Sequence, residues 1–226
     1  MKSVSLCVFA AVAVSLCSLP ASAGNILFSD LAPGSSPYDT TFAWAVSGSA
    51  SCCSSGYSFT SADLFTVAGS GNEAVGEIDL AVGTGTAVLN TFYVSIRTDD
   101  AGTPGSQVAG AYWSGSTTNY YSACCSLFAI TDISGVTLTG GQQYFLVLGP
   151  VGVTDNSFIS WYENTQGVTG DEQYSNDGGA TWSDNGVRTL GAFDVRGVPE
   201  PGSILLLGTG FAGILLFGQR KVRGNL

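Results

Sequence analysis

Residues 91–97 read Thr-Phe-Tyr-Val-Ser-Ile-Arg, and this stretch decides the fold class. Apolar side chains recur at every second position, which is the period of a β-strand with one face on a hydrophobic core. The residues expected on the core face are Phe92, Val94 and Ile96. The residues expected on the outer face are Tyr93, Ser95 and Arg97.

Short apolar stretches of the same kind recur along the chain between clusters of turn residues. They lie at 40–46, 57–67, 74–82, 107–113, 126–131, 142–148, 157–162 and 189–195. Glycine, asparagine and aspartate mark the intervening turns, and long helical periodicity is absent between them. This pattern of about ten strands predicts an all-β fold, an antiparallel β-sandwich of jelly-roll-like type.

Residues 1–23 have the order of a secretory signal peptide. Lys2 supplies a positive start, a largely apolar stretch follows at 4–19, and Ala21 and Ala23 form a small-residue cleavage site. We therefore expect an N-terminal signal helix that is cleaved after Ala23, the alternative being a buried N-terminal helix. The remaining domain, residues 24–197, is long enough for one core.

The predicted domain is strongly acidic, and this excludes several functions. Sixteen carboxylates face only three bases, Arg97, Arg188 and Arg196, which gives a net charge of −13. Such a surface repels phosphate backbones, so nucleic-acid binding is excluded. The sequence has no histidine, which removes the commonest general base and rules out a Ser-His-Asp triad. We expect a non-enzymatic protein.

Two neighbouring cysteine pairs, Cys52-Cys53 and Cys124-Cys125, remain in the predicted domain. An even number of cysteines in an exported chain favours disulfides. Since a bridge between neighbours is strained, cross-pairing between the two sites is the favoured arrangement. The alternative is a metal site built from all four thiolates, although these pairs lack the spacing that zinc ligands usually have.

The C-terminal stretch has the order of a membrane anchor. Pro199-Glu200-Pro201 precedes an uncharged apolar segment at 202–218, and Arg220, Lys221 and Arg223 follow. A helix of this length nearly spans the hydrocarbon core. The basic residues favour the cytoplasmic side, which leaves the preceding domain outside. The alternatives for this segment are a simple single-pass anchor and a buried core helix.

This order resembles the PEP-CTERM sorting signal over residues 198–226. The resemblance implies that an exosortase recognises Pro199, Glu200 and Pro201, cuts near them, and releases the protein from the inner membrane towards the cell surface or an exopolysaccharide matrix. Gln219 before the basic residues and Val222 among them depart slightly from the usual tail.

Residues 175–182 read Ser-Asn-Asp-Gly-Gly-Ala-Thr-Trp, which resembles the Asp-box hairpin of sialidases and other secreted β proteins. The residues that carry the resemblance are Ser175, Asp177, Gly179, Thr181 and Trp182. In such a hairpin the aspartate accepts turn amides and the tryptophan packs beneath the loop. The resemblance implies a structural role, with a glycan contact as the alternative.

Other candidate chemistry involves acidic turns, carboxylate pairs and aromatic doublets. Asp99 and Asp100, with Asp79 or Asp132 as partners, could hold a calcium ion, although an Asp-rich turn is usually only a turn. Paired carboxylates could serve a glycosidase, but nothing in the sequence singles out a pair. Three aromatic doublets would each present one ring outward on a strand, where it could stack on a sugar. These doublets are Tyr112-Trp113, Tyr120-Tyr121 and Trp161-Tyr162.

The domain also resembles the exported β-sandwich modules called choice-of-anchor domains, especially their R type. The segments that carry this resemblance are 94–106 and 135–148. It implies a fold and no activity. We therefore expect an exported surface or matrix protein with a structural or adhesive role linked to exopolysaccharide. The alternatives are a carbohydrate-binding module and a secreted glycoside hydrolase.

Overall fold

The computed structural model describes residues 24–51, 55–85, 89–118 and 126–199, and one compact unit spans Asn25–Val198. Every regular element in these residues is a strand, and every pairing between named strands is antiparallel, which confirms the all-β antiparallel prediction. The strands are β1 (Ile26–Ser29), β2 (Tyr38–Ser47), β3 (Thr60–Thr66), β4 (Asn72–Leu80), β5 (Val82–Thr84), β6 (Asn90–Asp99), β7 (Pro104–Thr117), β8 (Phe128–Ile130), β9 (Thr137–Thr139), β10 (Gln143–Pro150), β11 (Phe158–Asn164), β12 (Thr169–Ser175), β13 (Ser183–Thr189) and β14 (Phe193–Gly197).

These strands form three sheets. A six-stranded sheet has the order β13-β12-β3-β10-β6-β7. A five-stranded sheet has the order β1-β14-β4-β8, with β9 also pairing with β4, and a three-stranded sheet has the order β2-β11-β5. The six-stranded sheet contributes one face to the main core, and the two smaller sheets contribute theirs.

The two smaller sheets are joined where β4 passes into β5. Ala81 separates these strands, and its N–H donates to the carbonyl of Ala192 at 3.0 Å while its carbonyl accepts from the N–H of Tyr162 at 2.9 Å. The N–H of Ala192 in turn donates to the carbonyl of Tyr162 at 2.7 Å. Because the backbone hydrogen bonds continue through this point, the two smaller sheets are linked into one layer opposite the six-stranded sheet.

The central strand β6 follows its predicted alternation on the core side. Phe92, Val94 and Ile96 are buried in the main core, as expected. The prediction that the opposite face meets solvent is wrong, because Tyr93 is only 7% exposed and Ser95 is 0% exposed. A second, smaller apolar cluster covers this outer face and includes Tyr93. Its other buried members are Ala62, Leu64, Phe145 and Val147, and Trp182 packs against them.

Among the aromatic doublets, Tyr112-Trp113 behaves as expected, since Tyr112 is 45% exposed and Trp113 packs on the core. For Trp161-Tyr162 the expectation of one exposed ring is wrong. Trp161 lies in the main core, and Tyr162 is buried in a third cluster, where its ring stacks on Tyr38 with centroids 5.3 Å apart. Both faces of β11 are therefore covered by other side chains, which explains why each face is apolar.

The predicted terminal elements lie outside the described residues. These are the signal helix at 1–23 and the transmembrane helix at 202–218 with its basic tail. Within the described ranges, no helix has both the length and the apolar composition required to cross a membrane.

Candidate functional site

An open groove lies beside the edge of the six-stranded sheet and has a volume of about 290 Å³. Three half-buried aromatic residues line it, one each from β2, the segment before β3, and β12. Its lining residues are Trp44, Ala45, Phe59, Thr60, Ser61, Glu172, Tyr174 and Asn185. The groove therefore combines aromatic rings with hydroxyl, carboxyl and amide groups, and only one of these residues is charged.

Backbone pairing brings the groove residues together. The end of β2 is tied to the start of β3, since the N–H of Ser47 donates to the carbonyl of Phe59 at 3.0 Å and the N–H of Phe59 returns a bond of 2.8 Å. In the sheet, Tyr174 lies opposite Ser61. The Trp44 indole N–H donates to the carbonyl of Thr189 at 3.2 Å, which fixes that ring beside β13.

Glu172 is the acidic residue in the groove lining, and only 1% of it is exposed. Its Oε1 accepts a hydrogen bond from the Ser61 hydroxyl at 3.1 Å, whereas Oε2 is buried without a partner in hydrogen-bonding geometry. Burial raises the pKa of this carboxyl, and the neighbouring Asn185 amide, the Ser61 hydroxyl and Arg188 partly oppose the rise. A buried acceptor without a donor is costly, so this carboxyl could gain a hydrogen bond from a bound hydroxyl group.

Two further carboxyls are buried beside the start of β14 and the residues that lead into it. Asp63 Oδ2 accepts from the N–H of Gly191 at 2.6 Å, and Asp30 Oδ1 accepts from the N–H of Phe193 at 2.6 Å. Burial raises the pKa of Asp30 to about 8 and holds the pKa of Asp63 well above its ordinary value. Their hydrogen bonds hold the backbone at Gly191 and Phe193 in place, and neither carboxyl lines the groove.

The Asp-box residues lie in one loop between β12 and β13. Asp177 Oδ1 accepts from the Ser175 hydroxyl at 2.7 Å and from the N–H groups of Ala180 at 3.0 Å and Thr181 at 2.8 Å. Its Oδ2 accepts from the Thr181 hydroxyl at 2.7 Å. Gly179 has a φ of 92°, which suits glycine, and its N–H donates to the Ser175 hydroxyl at 2.7 Å. The Ser175 and Thr181 hydrogen bonds hold the pKa of Asp177 well below its ordinary value.

This loop packs over the outer face of the six-stranded sheet. Trp182 lies against the second apolar cluster, and the Arg97 guanidinium carbon is 5.9 Å from the centre of its ring. That distance is within the range of a cation–π contact. The loop therefore has a structural role, because it covers Tyr93 and the other residues of the second apolar cluster.

The two calcium candidates, Asp99 and Asp100, lie at the end of β6 and in the tight turn that leads to β7. Asp100 and Thr103 exchange backbone hydrogen bonds across the turn, and Asp99 Oδ1 accepts from the N–H of Gly102 at 2.7 Å. Asp79 lies instead on β4, where it forms an ion pair of 3.1 Å with Arg196. Within the ranges that the structure describes, no three acidic or cysteine side chains group as metal ligands would.

Several predicted site residues lie outside the described ranges. They include the four candidate disulfide cysteines and most of the sorting signal, of which only Pro199 is described. The residues concerned are Cys52, Cys53, Cys124, Cys125, Glu200, Pro201, Arg220, Lys221 and Arg223, together with Tyr120 and Tyr121 of one aromatic doublet.

The described residues thus define an antiparallel all-β module with a small aromatic groove. Comparison with protein families shows that residues 197–221 match the PEP-CTERM protein-sorting motif. Signals of this kind are recognised by exosortase processing enzymes, and the motif indicates an exported protein that is sorted to the cell surface. No curated protein and no solved structure matches the chain.

Sequence reasoning missed the groove. Trp44 and Phe59 are isolated aromatic residues rather than members of a doublet, and Glu172 is one of many acids. Glu172 and Tyr174 are two positions apart, which places them on the same face of a strand. This spacing could have indicated a polar strand face that carries an aromatic ring. No local signal places that face beside Trp44, since β2 and β12 are far apart in the sequence.

Proposed function

We propose that this chain is a non-catalytic cell-surface or matrix protein whose β module has a structural or adhesive role linked to exopolysaccharide. The match of residues 197–221 to the PEP-CTERM sorting motif carries the proposal. The resemblance of the module to choice-of-anchor domains supports it, because such modules are joined to different surface anchors and the resemblance implies no activity.

The proposal that the module is not an enzyme rests on its polar groups. Histidine is absent from the sequence, so nucleophilic catalysis would lack its commonest base. Glycoside hydrolysis usually needs two carboxyl groups on opposite sides of the scissile bond. The groove lining supplies only Glu172, and the nearby carboxyl of Asp63 is bonded to the backbone at Gly191. The alternative of a secreted hydrolase therefore has little support.

The anchor belongs to the same proposal. Before processing, residues 202–218 would hold the chain in the inner membrane, and Arg220, Lys221 and Arg223 would remain on the cytoplasmic side. Cleavage near Pro199, Glu200 and Pro201 would then free the module for the surface or matrix.

Replacing Pro199, Glu200 and Pro201 together with alanine tests the sorting step. In the producing cell this variant should accumulate at full length in the inner membrane, whereas a Val198→Ala control should be processed normally. Cell fractionation and intact mass measure both outcomes. Unchanged release and mature mass in the triple variant would show that the motif does not direct processing.

The non-catalytic role has a separate test. The purified chain should leave chromogenic glycosides and esters unchanged over long incubations. Turnover that disappears in a Glu172→Gln variant would contradict this part of the proposal without affecting the sorting step.

A further inference from the structure

The groove has the composition of a site for a polyhydroxylated ring. Trp44, Phe59 and Tyr174 contribute apolar ring surfaces, and each is only partly buried. Sugar rings have apolar C–H faces that pack on such surfaces, and hydroxyl groups at their edges that need polar partners. The groove volume of about 290 Å³ suits one such ring.

The polar side of the groove is held in place by the sheet. Glu172 and Tyr174 lie on the same face of β12, opposite Asp63 and Ser61 of β3. The Ser61 hydroxyl holds Oε1 of Glu172, and Oε2 is buried without a donor. The Asn185 amide also lies close enough to lower the pKa of this carboxyl, so the two groups together form the polar side of the groove.

We infer that this groove binds one ring of a neutral polysaccharide, with the aromatic residues against the ring face and the Glu172 carboxyl accepting a hydroxyl hydrogen. Asn185 contributes a second polar group from β13. Only the link to exopolysaccharide rests on the proposed function, because the ring site itself follows from the groove.

Charge favours a neutral ligand over an acidic one. Asp184 on β13 lies close enough to the groove to raise the pKa of Glu172. Arg188 acts on the same carboxyl in the opposite direction, but Arg97, Arg188 and Arg196 are the only bases between residues 24 and 198. A uronic acid or sulfated sugar would therefore meet repulsion that a neutral hexose avoids.

The test uses the full-length chain in a detergent without a sugar headgroup, since an alkyl glycoside would compete for the groove. The probes are laminaritetraose, cellotetraose, mannotetraose and chitotetraose, with tetragalacturonate as the acidic comparison, and calorimetric titration measures affinity. At least one neutral tetramer should bind, and tetragalacturonate should bind more weakly.

Tyr174→Ala should weaken binding of that tetramer about tenfold through the lost ring contact. Glu172→Gln should also weaken it several-fold while preserving the shape of the side chain. Tyr112→Ala, which removes an exposed ring on the outer face of the six-stranded sheet, serves as the matched control and should bind normally. Circular dichroism should show that all three variants are folded.

Failure of every neutral tetramer to bind, or equal binding by Tyr174→Ala and the wild type, would overturn the inference. Either result would leave exosortase sorting intact, since the triple alanine replacement at residues 199–201 measures that property separately. Conversely, loss of sorting with normal sugar binding would contradict the proposed function alone.

Discussion

Asp63 on β3 and Glu172 on β12 lie directly opposite each other in the six-stranded sheet, and both side chains are almost completely buried. Burial raises the pKa of both carboxyls, and repulsion from Glu172 adds to the rise at Asp63. Asp63 is also influenced by Asp30, whose own pKa is raised to about 8 by burial. The domain therefore contains a group of carboxyls that release their protons more readily when the chain unfolds.

This group makes stability fall as pH rises. For Asp30, both the folded and unfolded states hold the proton below about pH 4, whereas between pH 4 and 8 only the folded state retains it. The Tm measured by circular dichroism should therefore decrease from pH 5 to pH 8. Asp30→Asn should flatten this slope, because it removes a group whose pKa is about 8 in the folded state.

The control for Asp30→Asn is Asp100→Asn, which removes one negative charge from an exposed turn position. This control should keep the slope of the wild type, since Asp100 lies in an exposed turn and not among the buried carboxyls. Equal slopes for Asp30→Asn and the wild type would contradict the assignment of the pH dependence to the buried carboxyl.

The contribution of the Asp-box loop to stability should depend on the Asp177 carboxylate. Asp177→Ala removes the acceptor of four hydrogen bonds from Ser175, Ala180 and Thr181, so the Tm should fall at pH 7. Because the pKa of Asp177 is lowered in the fold, its contribution is present above the ordinary value of 3.8 and is lost as pH falls further. The difference from wild type should thus persist at pH 5 and shrink below pH 4. A constant difference down to pH 2 would show that the carboxylate charge is irrelevant.

Trp182 should stabilise the second apolar cluster. Trp182→Ala uncovers the outer face near Tyr93 and removes the ring beneath Arg97, so urea unfolding should show a loss of about 2 kcal/mol. Trp182→Phe should restore part of this loss, and Val187→Ala, at an exposed position of β13, should change little. If Trp182→Ala unfolds like the wild type, the loop does not act as a cover.

Sequence patterns predicted this fold best where one face of a strand is apolar. The alternation around Phe92, Val94 and Ile96 identified β6 because the core requires it. The same reasoning misplaced Tyr93, since the cover over the outer face comes from Trp182, which is distant in the sequence. The alternation of apolar residues within one strand does not show whether a second layer packs against its other face.

The strands missed in the sequence, which include β1, β5, β9, β12 and β13, are short or polar. β12 reads Thr-Gly-Asp-Glu-Gln-Tyr-Ser, and its burial comes from pairing with β3 rather than from apolar side chains. The groove depends on this strand, so it was missed as well. The sorting signal was predictable because its order of prolines, apolar residues and basic residues is contiguous.

Gly191 lies where a side chain has no room. A Cβ at this position would come within 2.6 Å of Trp161 Cδ2, and that ring is fully buried in the main core. The Trp161 indole N–H donates to the carbonyl of Ala192 at 3.3 Å. Asp63 accepts from the N–H of the neighbouring Gly191, so this backbone and the Trp161 ring are both held in place. The ring has little freedom to move away from an added methyl group.

Gly191→Ala should therefore destabilise the domain by about 2 kcal/mol, measured by urea unfolding, because overpacking in a dense core costs this much. Gly71→Ala is the matched control, since a Cβ there meets nothing within 4 Å and its backbone does not need a positive φ. The control should be neutral or slightly stabilising, as the unfolded chain loses freedom. Equal stability of the two variants would show that Trp161 yields at low cost, and the close packing of Gly191 would then not be a constraint on the fold.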